Sequence, residues 1–210
     1  MIIKQSVLSK FSLLKQTCQA TVIVLLTFLI SACQLFQSQR STGISPDSLQ
    51  KIKNWTARGK MMVADNKERV SGYFYWQQNG RDFSFSLDTI IGTNLFSLEY
   101  KDGISIVKAD GKQYKGSDPQ TLIYKLTGHQ LPISNMPNWL LGKVGEDVIN
   151  PNYDQNQRIT SFNYQANFKT WLINYVNWEP RPPLFLPKTL NLSTDTNRVK
   201  ISVSSWHIEG

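Results

Sequence analysis

The sequence predicts a mainly β domain of the α+β class, in which short helices cover one side of a curved antiparallel sheet. Apolar and polar residues alternate in several short segments, as in strands with one buried face. Three pairs that favour tight turns, Asn79-Gly80, Asp102-Gly103 and Asp110-Gly111, separate these segments, as in an up-and-down meander. Two later segments carry helix start and stop signals.

The N-terminal segment predicts a signal that is removed from the mature protein. Three lysines and no acidic residue precede the apolar run Ala20–Ile30, about half the length that spans a bilayer as a helix. Ser31, Ala32 and then Cys33 follow, as in a bacterial lipoprotein signal. We expect cleavage after residue 32 and a diacylglycerol and an N-acyl chain on Cys33. The alternative is an ordinary secretory signal with an incidental cysteine.

The mature chain divides into a tether and one domain. Residues 33–45 are rich in Ser and Gln and predict an acylated N-terminus with a flexible tether. Residues 46–210 are long enough for a single domain with its own core. Since Cys18 leaves with residues 1–32 and Cys33 is acylated, we expect no disulfide and no cysteine metal site.

Charge gives a weak indication of partners. The formal net charge of +8 falls to +5 when the three lysines of the signal are removed. This excess suits an anionic membrane surface, but the basic residues are spread along the chain, which favours a scattered solvated face. No basic tract is interleaved with aromatic residues, so we expect no nucleic-acid partner. We expect a monomer.

The elements are predicted in the following order. A first helix begins at Ser45 and ends near Asn54, and strands are predicted at 55–63, 70–77, 83–87, 95–100 and 104–107. Helices follow at 119–128 and 134–141, residues 145–157 form a loop, and strands resume at 158–164, 170–176, 188–193 and 198–206. The proline-rich segment 179–183 predicts a loop or a sheet edge. Such a layout encloses either a packed core or an apolar cavity.

No constellation of residues indicates an enzyme. His129 follows a predicted helix and His207 lies near the chain end, and neither is in a metal-spaced pair. The carboxylates fall mostly in predicted turns, and the sequence contains no nucleophile elbow. We expect no catalytic residue, no metal and no cofactor other than the covalent lipid on Cys33.

One predicted turn is unusually apolar. Residues 88–94 join two strands, yet they contain Ile90 and Ile91 side by side, followed by Gly92. Both isoleucines cannot face inward if the segment is extended, so they suit a protruding tip that contacts lipid or an apolar partner. The alternative is that Ile90 extends the strand and Ile91 packs under a helix.

An ordered set of short motifs resembles the LolB family of outer-membrane lipoprotein receptors. The motifs, which cover essentially the whole mature chain, are the lipoprotein signal, Trp55-x-x-x-Gly59-Lys60, Gly72-x-Phe74-x-Trp76-Gln77, Ile91-Gly92, the helix from Pro119 to Gly128, Leu131-Pro132, Trp139-Leu140-Leu141-Gly142, Leu186-Pro187 and Ile201-x-Val203-x-x-Trp206.

The resemblance implies an incomplete antiparallel β-barrel with a helical lid over an apolar cavity. It implies a lipid-anchored protein on the periplasmic face of the outer membrane, which accepts acylated lipoproteins from the soluble carrier LolA and inserts them into outer-membrane phospholipid. In the family an apolar residue before a glycine, usually in a Pro-Leu-Gly loop, is needed for delivery. Ile91 before Gly92 matches that residue, and Ile90 replaces the proline.

The candidates for the lining of an acyl cavity are apolar residues on predicted strand and helix faces. They are Trp55, Phe74, Trp76, Phe83, Phe85, Leu98 and Trp139. Each is equally compatible with plain core packing. The alternative function is therefore a structural or assembly lipoprotein of the outer membrane with a packed sheet and no cavity.

Overall fold

The structure is a computed structural model that describes residues 49–166, 169–181 and 184–209. The predicted signal, the tether and the acylation site at Cys33 lie outside these residues, as do residues 45–48 of the predicted first helix. Of the rest of that helix only Leu49 and Gln50 are helical, and the first strand begins at Asn54, so the helix ends earlier than predicted.

The described residues form eleven strands in one antiparallel sheet. The strands are β1 (Asn54–Ala64), β2 (Arg69–Asn79), β3 (Asp82–Asp88), β4 (Asn94–Lys101), β5 (Ile104–Ala109), β6 (Lys112–Gly116), β7 (Val148–Tyr153), β8 (Ile159–Ala166), β9 (Lys169–Arg181), β10 (Leu184–Ser193) and β11 (Arg198–Ile208). Their order in the sheet is β6-β5-β4-β3-β2-β1-β11-β10-β9-β8-β7, so β6 and β7 are edges and the sheet is not closed. The predicted incomplete barrel is confirmed.

Two meanders meet where the first and last strands pair. β1 pairs with β11 from Trp55 opposite Ile208 to Ala64 opposite Arg198, with a register shift beside Gly59. A Cβ on Gly59 would lie only 2.0 Å from the main-chain oxygen of Ser202. The close approach of the two backbones at this irregularity therefore requires glycine.

The structure forms tight turns at two of the three predicted Asx-Gly pairs. Both central residues have positive φ at Asp102-Gly103 (51° and 78°) and at Asp110-Gly111 (50° and 71°), as type I′ requires. The third prediction is displaced by one residue. Asn79 pairs with Asp82, so Gly80 and Arg81 form the loop, and of these only Gly80 has positive φ, which fits a type II′ turn.

Two helices connect the meanders, as predicted. In α1 (Pro119–Thr127), the Asp118 side chain accepts hydrogen bonds from the Gln120 and Thr121 amides, and Gly128 ends the helix at φ 72°. The shorter α2 (Met136–Leu140) carries its proline in the first turn, where no amide hydrogen is needed. α1 packs on β5 and β6, and α2 packs on β10.

The prediction of a loop at residues 145–157 is wrong in part, because it contains β7. Asn150 and Pro151 are poor strand formers, but an edge strand tolerates them: Asn150 has a φ of 52°, and the pairing with β8 is irregular. The prediction of a loop or a sheet edge at residues 179–183 agrees with the structure at Pro180, where β9 is paired on one side only. Pro180 pairs with Phe185 on β10, beyond Asn174, the last β9 residue paired with β8.

Candidate functional site: the isoleucine loop and the inner face

The isoleucine loop, residues 90–92, joins β3 to β4 in a tight turn. The Thr89 amide donates a hydrogen bond to the Thr93 carbonyl (2.8 Å), and the Gly92 amide donates one to the Thr89 carbonyl (3.0 Å). The Thr93 amide also donates to the Thr89 hydroxyl at 3.0 Å. Gly92 has a φ of 86°, so it supplies the left-handed third residue that closes a three-residue hairpin loop.

The two isoleucines are the most exposed large apolar side chains among the described residues. Ile90 is 75% exposed and Ile91 is 89% exposed, whereas the next, Val176, is 53% exposed. The geometry therefore excludes the alternative in which Ile91 packs under a helix. Each side chain would gain roughly 1.5–3 kcal/mol on leaving water for an apolar environment. The loop is a preformed apolar tip.

The turn is fixed to the sheet by polar groups at its base. The side-chain amide of Asn94 donates to Oδ1 of Asp88 at 2.8 Å across the first residue pair of the hairpin. These bonds fix the backbone of the loop, while the Ile90 and Ile91 side chains stay 75% and 89% exposed. The base of the loop is thus held by polar contacts between residues close in sequence, while the isoleucine side chains at the tip are exposed.

The inner face of the sheet collects six of the seven candidates for the cavity lining. Trp76 is the centre of an aromatic row: its ring lies 6.2 Å from Trp55, 4.8 Å from Phe83 and 5.5 Å from Phe85. The strand register places the other two on the same face, Phe74 opposite Leu87 and Leu98 opposite Phe85.

The seventh candidate, Trp139, lies on α2 and packs on the other half of the sheet. Its ring contacts those of Phe162 (5.4 Å) and Tyr164 (5.1 Å) edge-on. The Tyr175 hydroxyl donates a hydrogen bond to the Trp139 carbonyl at 2.9 Å. Burial raises the pKa of the Tyr175 hydroxyl, so it remains a donor at neutral pH. The structure therefore places Trp139 apart from the aromatic row.

All seven candidates are buried, at 6% exposure or less. An open groove of about 370 Å³ lies elsewhere, and its walls include Ile159, Trp178 and Phe185. None of the seven candidates lines this groove. The Lys143 amine at this groove donates to the Ile52 carbonyl at 2.9 Å, and burial lowers its pKa. In this structure the inner face is thus a packed surface beneath the helices.

The sequence did not single out the second half of the inner face. Its members share the alternating pattern of β8 to β11 and the apolar sides of the helices, which is the signal that identifies them. They include Phe162, Trp171, Ile173, Tyr175, Leu186, Leu190, Leu192, Ile123, Ile133 and Met136. With the aromatic row, they make the inner face apolar across both meanders.

His129 was predicted beside a helix end, but its burial was not expected. It is 6% exposed, with Nδ1 3.7 Å from Asp65 and Nε2 3.3 Å from Glu68. Hydrogen bonds from the main-chain amides of Glu68 and Lys67 hold the pKa of the Asp65 carboxyl below its usual range. No sequence signal brings these groups together, because the β1–β2 turn and the end of α1 are distant in the chain.

The described part of the chain holds no group of three or more His, Cys, Asp or Glu side chains placed to bind a metal ion. None of its helices has the length and apolar character to cross a bilayer.

Comparisons with known proteins agree with these features. The profile of the family described as "Outer membrane lipoprotein LolB" matches residues 53–206. The outer-membrane lipoprotein LolB of Yersinia pseudotuberculosis is 31% identical over 201 residues, covering 90% of this chain and 95% of that protein. The LolB of Shewanella sediminis is 28% identical over 184 residues, covering 88% of this chain and 84% of that protein.

The fold has relatives among solved structures at much lower identity. A LolA-superfamily protein from Nitrosomonas europaea superposes with a TM-score of 0.51 at 10% identity, covering 80% of this chain and 94% of that one. Such a likeness concerns the fold alone. The sequence match over most of the chain decides the assignment: this chain belongs to the LolB family of outer-membrane lipoproteins.

Proposed function

We propose that this protein accepts acylated lipoproteins from the periplasmic carrier LolA and inserts them into the outer membrane without covalent chemistry. The observation that carries the proposal is the isoleucine loop, whose two side chains are 75% and 89% exposed on a tightly bonded turn. An apolar inner face on the same sheet supplies the second part, a surface on which acyl chains can be held.

The physical problem is the cost of exposing acyl chains to water. A triacylated cargo carries about 45 methylenes, and at about 0.8 kcal/mol each their exposure costs of order 35 kcal/mol. Cargo must therefore pass directly between two apolar sites and then into lipid. No bond forms or breaks in such a transfer, so a set of catalytic side chains is not required.

Acyl chains reach the aromatic row when the helices move off the inner face. α1 packs on β5 and β6, and α2 is held to β9 by the Tyr175 hydroxyl bond to the Trp139 carbonyl. Both helices are short, at nine and five residues, but Ile123, Met136 and Trp139 are buried at 2% exposure or less, so their contacts with the sheet must be replaced for the helices to move. The incoming chains then replace the helix contacts with apolar contacts of their own.

Ile91 performs the last step, in which cargo leaves for lipid. Its side chain enters the bilayer surface and holds the mouth of the domain against it, so that acyl chains move from protein to lipid without crossing water. Ile90 takes the place of the proline usual in the family and adds a second apolar side chain.

The test separates reception of cargo from delivery. Acylated cargo on the carrier is mixed with the Ile91→Glu variant, first alone and then with liposomes. We expect transfer from carrier to variant at the unmodified rate and a loss of release into liposomes of roughly ten-fold or more, because a carboxylate cannot enter lipid cheaply.

Ile149→Glu is the matched control. Ile149 is also an isoleucine and is 40% exposed, but it lies on the edge strand β7 of the other meander, so its substitution should leave both steps intact. Normal release by Ile91→Glu would refute the role of the loop. Failure of the unmodified protein to take cargo from the carrier would instead favour the structural lipoprotein with a packed sheet.

The anchor is part of the proposal. Cleavage after residue 32 leaves Cys33 as the acylated N-terminus, and residues 33–45 tether the domain formed by residues 46–210. Mass spectrometry of the mature N-terminal peptide should find a triacylated Cys33. An unmodified Cys33 inside a longer peptide would contradict this processing.

A further inference from the structure

The outer face of the sheet gathers basic residues that are far apart in the sequence. Five exposed cations lie on it, and we call them the basic strip: Arg58 and Lys60 on β1, Arg69 on β2, and Arg198 and Lys200 on β11. The register makes them neighbours, because Ala64 is flanked by both Arg69 and Arg198, and Met62 lies beside Lys200. The sequence analysis favoured basic residues scattered over the surface, but the tertiary structure brings these five together on one face.

No carboxylate offsets this charge on the strands that carry it. β2, β1, β11 and β10 are adjacent in the sheet, and their sequences contain no Asp or Glu. The next strand, β3, contributes Asp82 and Asp88, which already accept hydrogen bonds from the Asp102 amide and the Asn94 side chain. The turns at the ends of these strands hold Asp65 and Glu68, which face His129, and Asp195. Among the described residues, none of the five cations lies within 4.0 Å of an acidic group.

Two of the cations lie over tyrosines, the exposed Tyr73 and the half-buried Tyr75. The Arg58 guanidinium carbon is 4.9 Å from the centre of the Tyr75 ring, and the Lys60 amine is 5.3 Å from that of Tyr73. These contacts order the two basic side chains along the sheet surface. Tyrosine beside arginine and lysine is a composition that suits the boundary between water and lipid headgroups.

The position of the strip favours a lipid surface over a protein partner. Cargo enters on the inner face, so a carrier docked on the outer face would hold its own apolar site away from the receiving one. The isoleucine loop, in contrast, begins two residues after Asp88, whose register partner is Tyr73. Tyr73 lies in turn opposite Lys60 of the strip, so loop and strip occupy neighbouring strands.

We propose that the basic strip binds the phosphate groups of anionic lipid headgroups while the isoleucine loop enters the same bilayer. This inference rests on the proposed delivery of cargo to a membrane, and it adds the surface that orients the domain there. The strip supplies long-range attraction that depends on salt, and the loop supplies apolar contact that does not. Together they fix which side of the domain meets the lipid.

Vesicle binding without cargo or carrier tests the strip by itself. The mature chain with Cys33→Ser, which has no acyl anchor, is mixed with vesicles of phosphatidylethanolamine with or without phosphatidylglycerol. We expect tighter binding with phosphatidylglycerol, weakened by salt. The affinity for the anionic vesicles should fall in the triple variant Arg58→Gln/Lys60→Gln/Lys200→Gln. Each removed charge should cost at most about five-fold in affinity, so the total loss should be on the order of 100-fold.

A matched triple variant controls for net charge. Lys101, Lys112 and Lys115 are exposed on β4 and β6, and their replacement by Gln removes the same charge outside the strip. We expect it to bind anionic vesicles within about three-fold of the parent, since its charges lie off the contact surface. Urea unfolding checks that both variants are folded.

Three results would overturn the proposal. Equal losses in both triple variants would reduce it to an effect of net charge, and binding indifferent to phosphatidylglycerol would remove the lipid as partner. A strip variant that binds vesicles normally but no longer takes cargo from the carrier would assign the strip to the carrier. Failure of cargo release with Ile91 intact would count against the proposed function, not against the strip, because the vesicle assay contains no cargo.

Discussion

The Tyr175 hydroxyl of β9 donates a hydrogen bond of 2.9 Å to the Trp139 carbonyl at the end of α2. The same carbonyl accepts a hydrogen bond from the Gly142 amide at 3.0 Å, which closes the helix. One side chain of the sheet therefore completes the end of a helix that lies over the inner face. It is a specific point at which the helical cover is attached to the strands.

We predict that Tyr175→Phe destabilises the domain modestly at neutral pH. The change removes the hydrogen bond to the Trp139 carbonyl but leaves that oxygen its bond from the Gly142 amide, so the loss should be about 1 kcal/mol. Urea unfolding of parent and variant measures it. An unchanged free energy of unfolding would show that the bond does not attach α2 to the sheet.

The same variant should change how stability depends on pH. Burial raises the pKa of Tyr175 above the ordinary tyrosine value of 10.0, so in alkali the unfolded chain loses this proton before the folded one. The stability of the parent then falls above about pH 10, by up to about 1.4 kcal/mol per pH unit from this group. Tyr175→Phe lacks the effect, so the difference between the two proteins should shrink as the pH rises and reverse at about pH 11. A constant difference would contradict the burial of the hydroxyl.

Gly59→Ala should be strongly destabilising. A Cβ at this position would meet the Ser202 carbonyl oxygen at 2.0 Å and the Phe74 ring at 2.8 Å, so β1 and β11 must move apart. We expect a loss of about 3 kcal/mol in thermal or urea unfolding. Gly116→Ala is the control: its nearest atom is 3.7 Å away, and stability should stay within about 0.5 kcal/mol.

Ile91→Ser should separate membrane affinity from stability. Because the side chain is 89% exposed, the free energy of unfolding should change by less than about 0.5 kcal/mol. Vesicle binding of the unacylated chain should weaken roughly 10- to 100-fold, from the lost transfer energy of one isoleucine. Ile149→Ser on the edge strand β7 should leave binding unchanged. A loss of stability in Ile91→Ser would mean that the loop is packed rather than free.

Most of the fold could be predicted because its signals are local. Alternation gave the strands, and the capping residues Asp118 and Gly128 gave α1. β7 was missed because its Asn and Pro residues are tolerated only at an edge, and no local signal identifies an edge strand. Family membership confirms that the protein is an outer-membrane lipoprotein and not an enzyme.

The site divides in the same way. Ile91 stood out in the sequence because two isoleucines in a turn conflict with the polar residues expected there. The structure shows that its side chain is exposed, at 89%. The seven predicted lining residues are all on the inner face or its helical cover, and their contact with acyl chains remains a prediction. The burial of His129 between Asp65 and Glu68 had no precursor in the sequence, because it needs a turn and a helix end to meet.

The sequence by itself determined most of the elements, two of the three predicted turns and the apolar tip, since each depends on the conformation of a few consecutive residues. Only the tertiary structure decided which distant segments share a surface. Arg58 and Lys200 are far apart in the chain, and they lie on one face because β1 pairs with β11. Strand pairing is driven by burial of the inner face, and the outer face follows from the same register. The position of the basic strip beside the isoleucine loop is therefore a consequence of the core, not of any local pattern of charge.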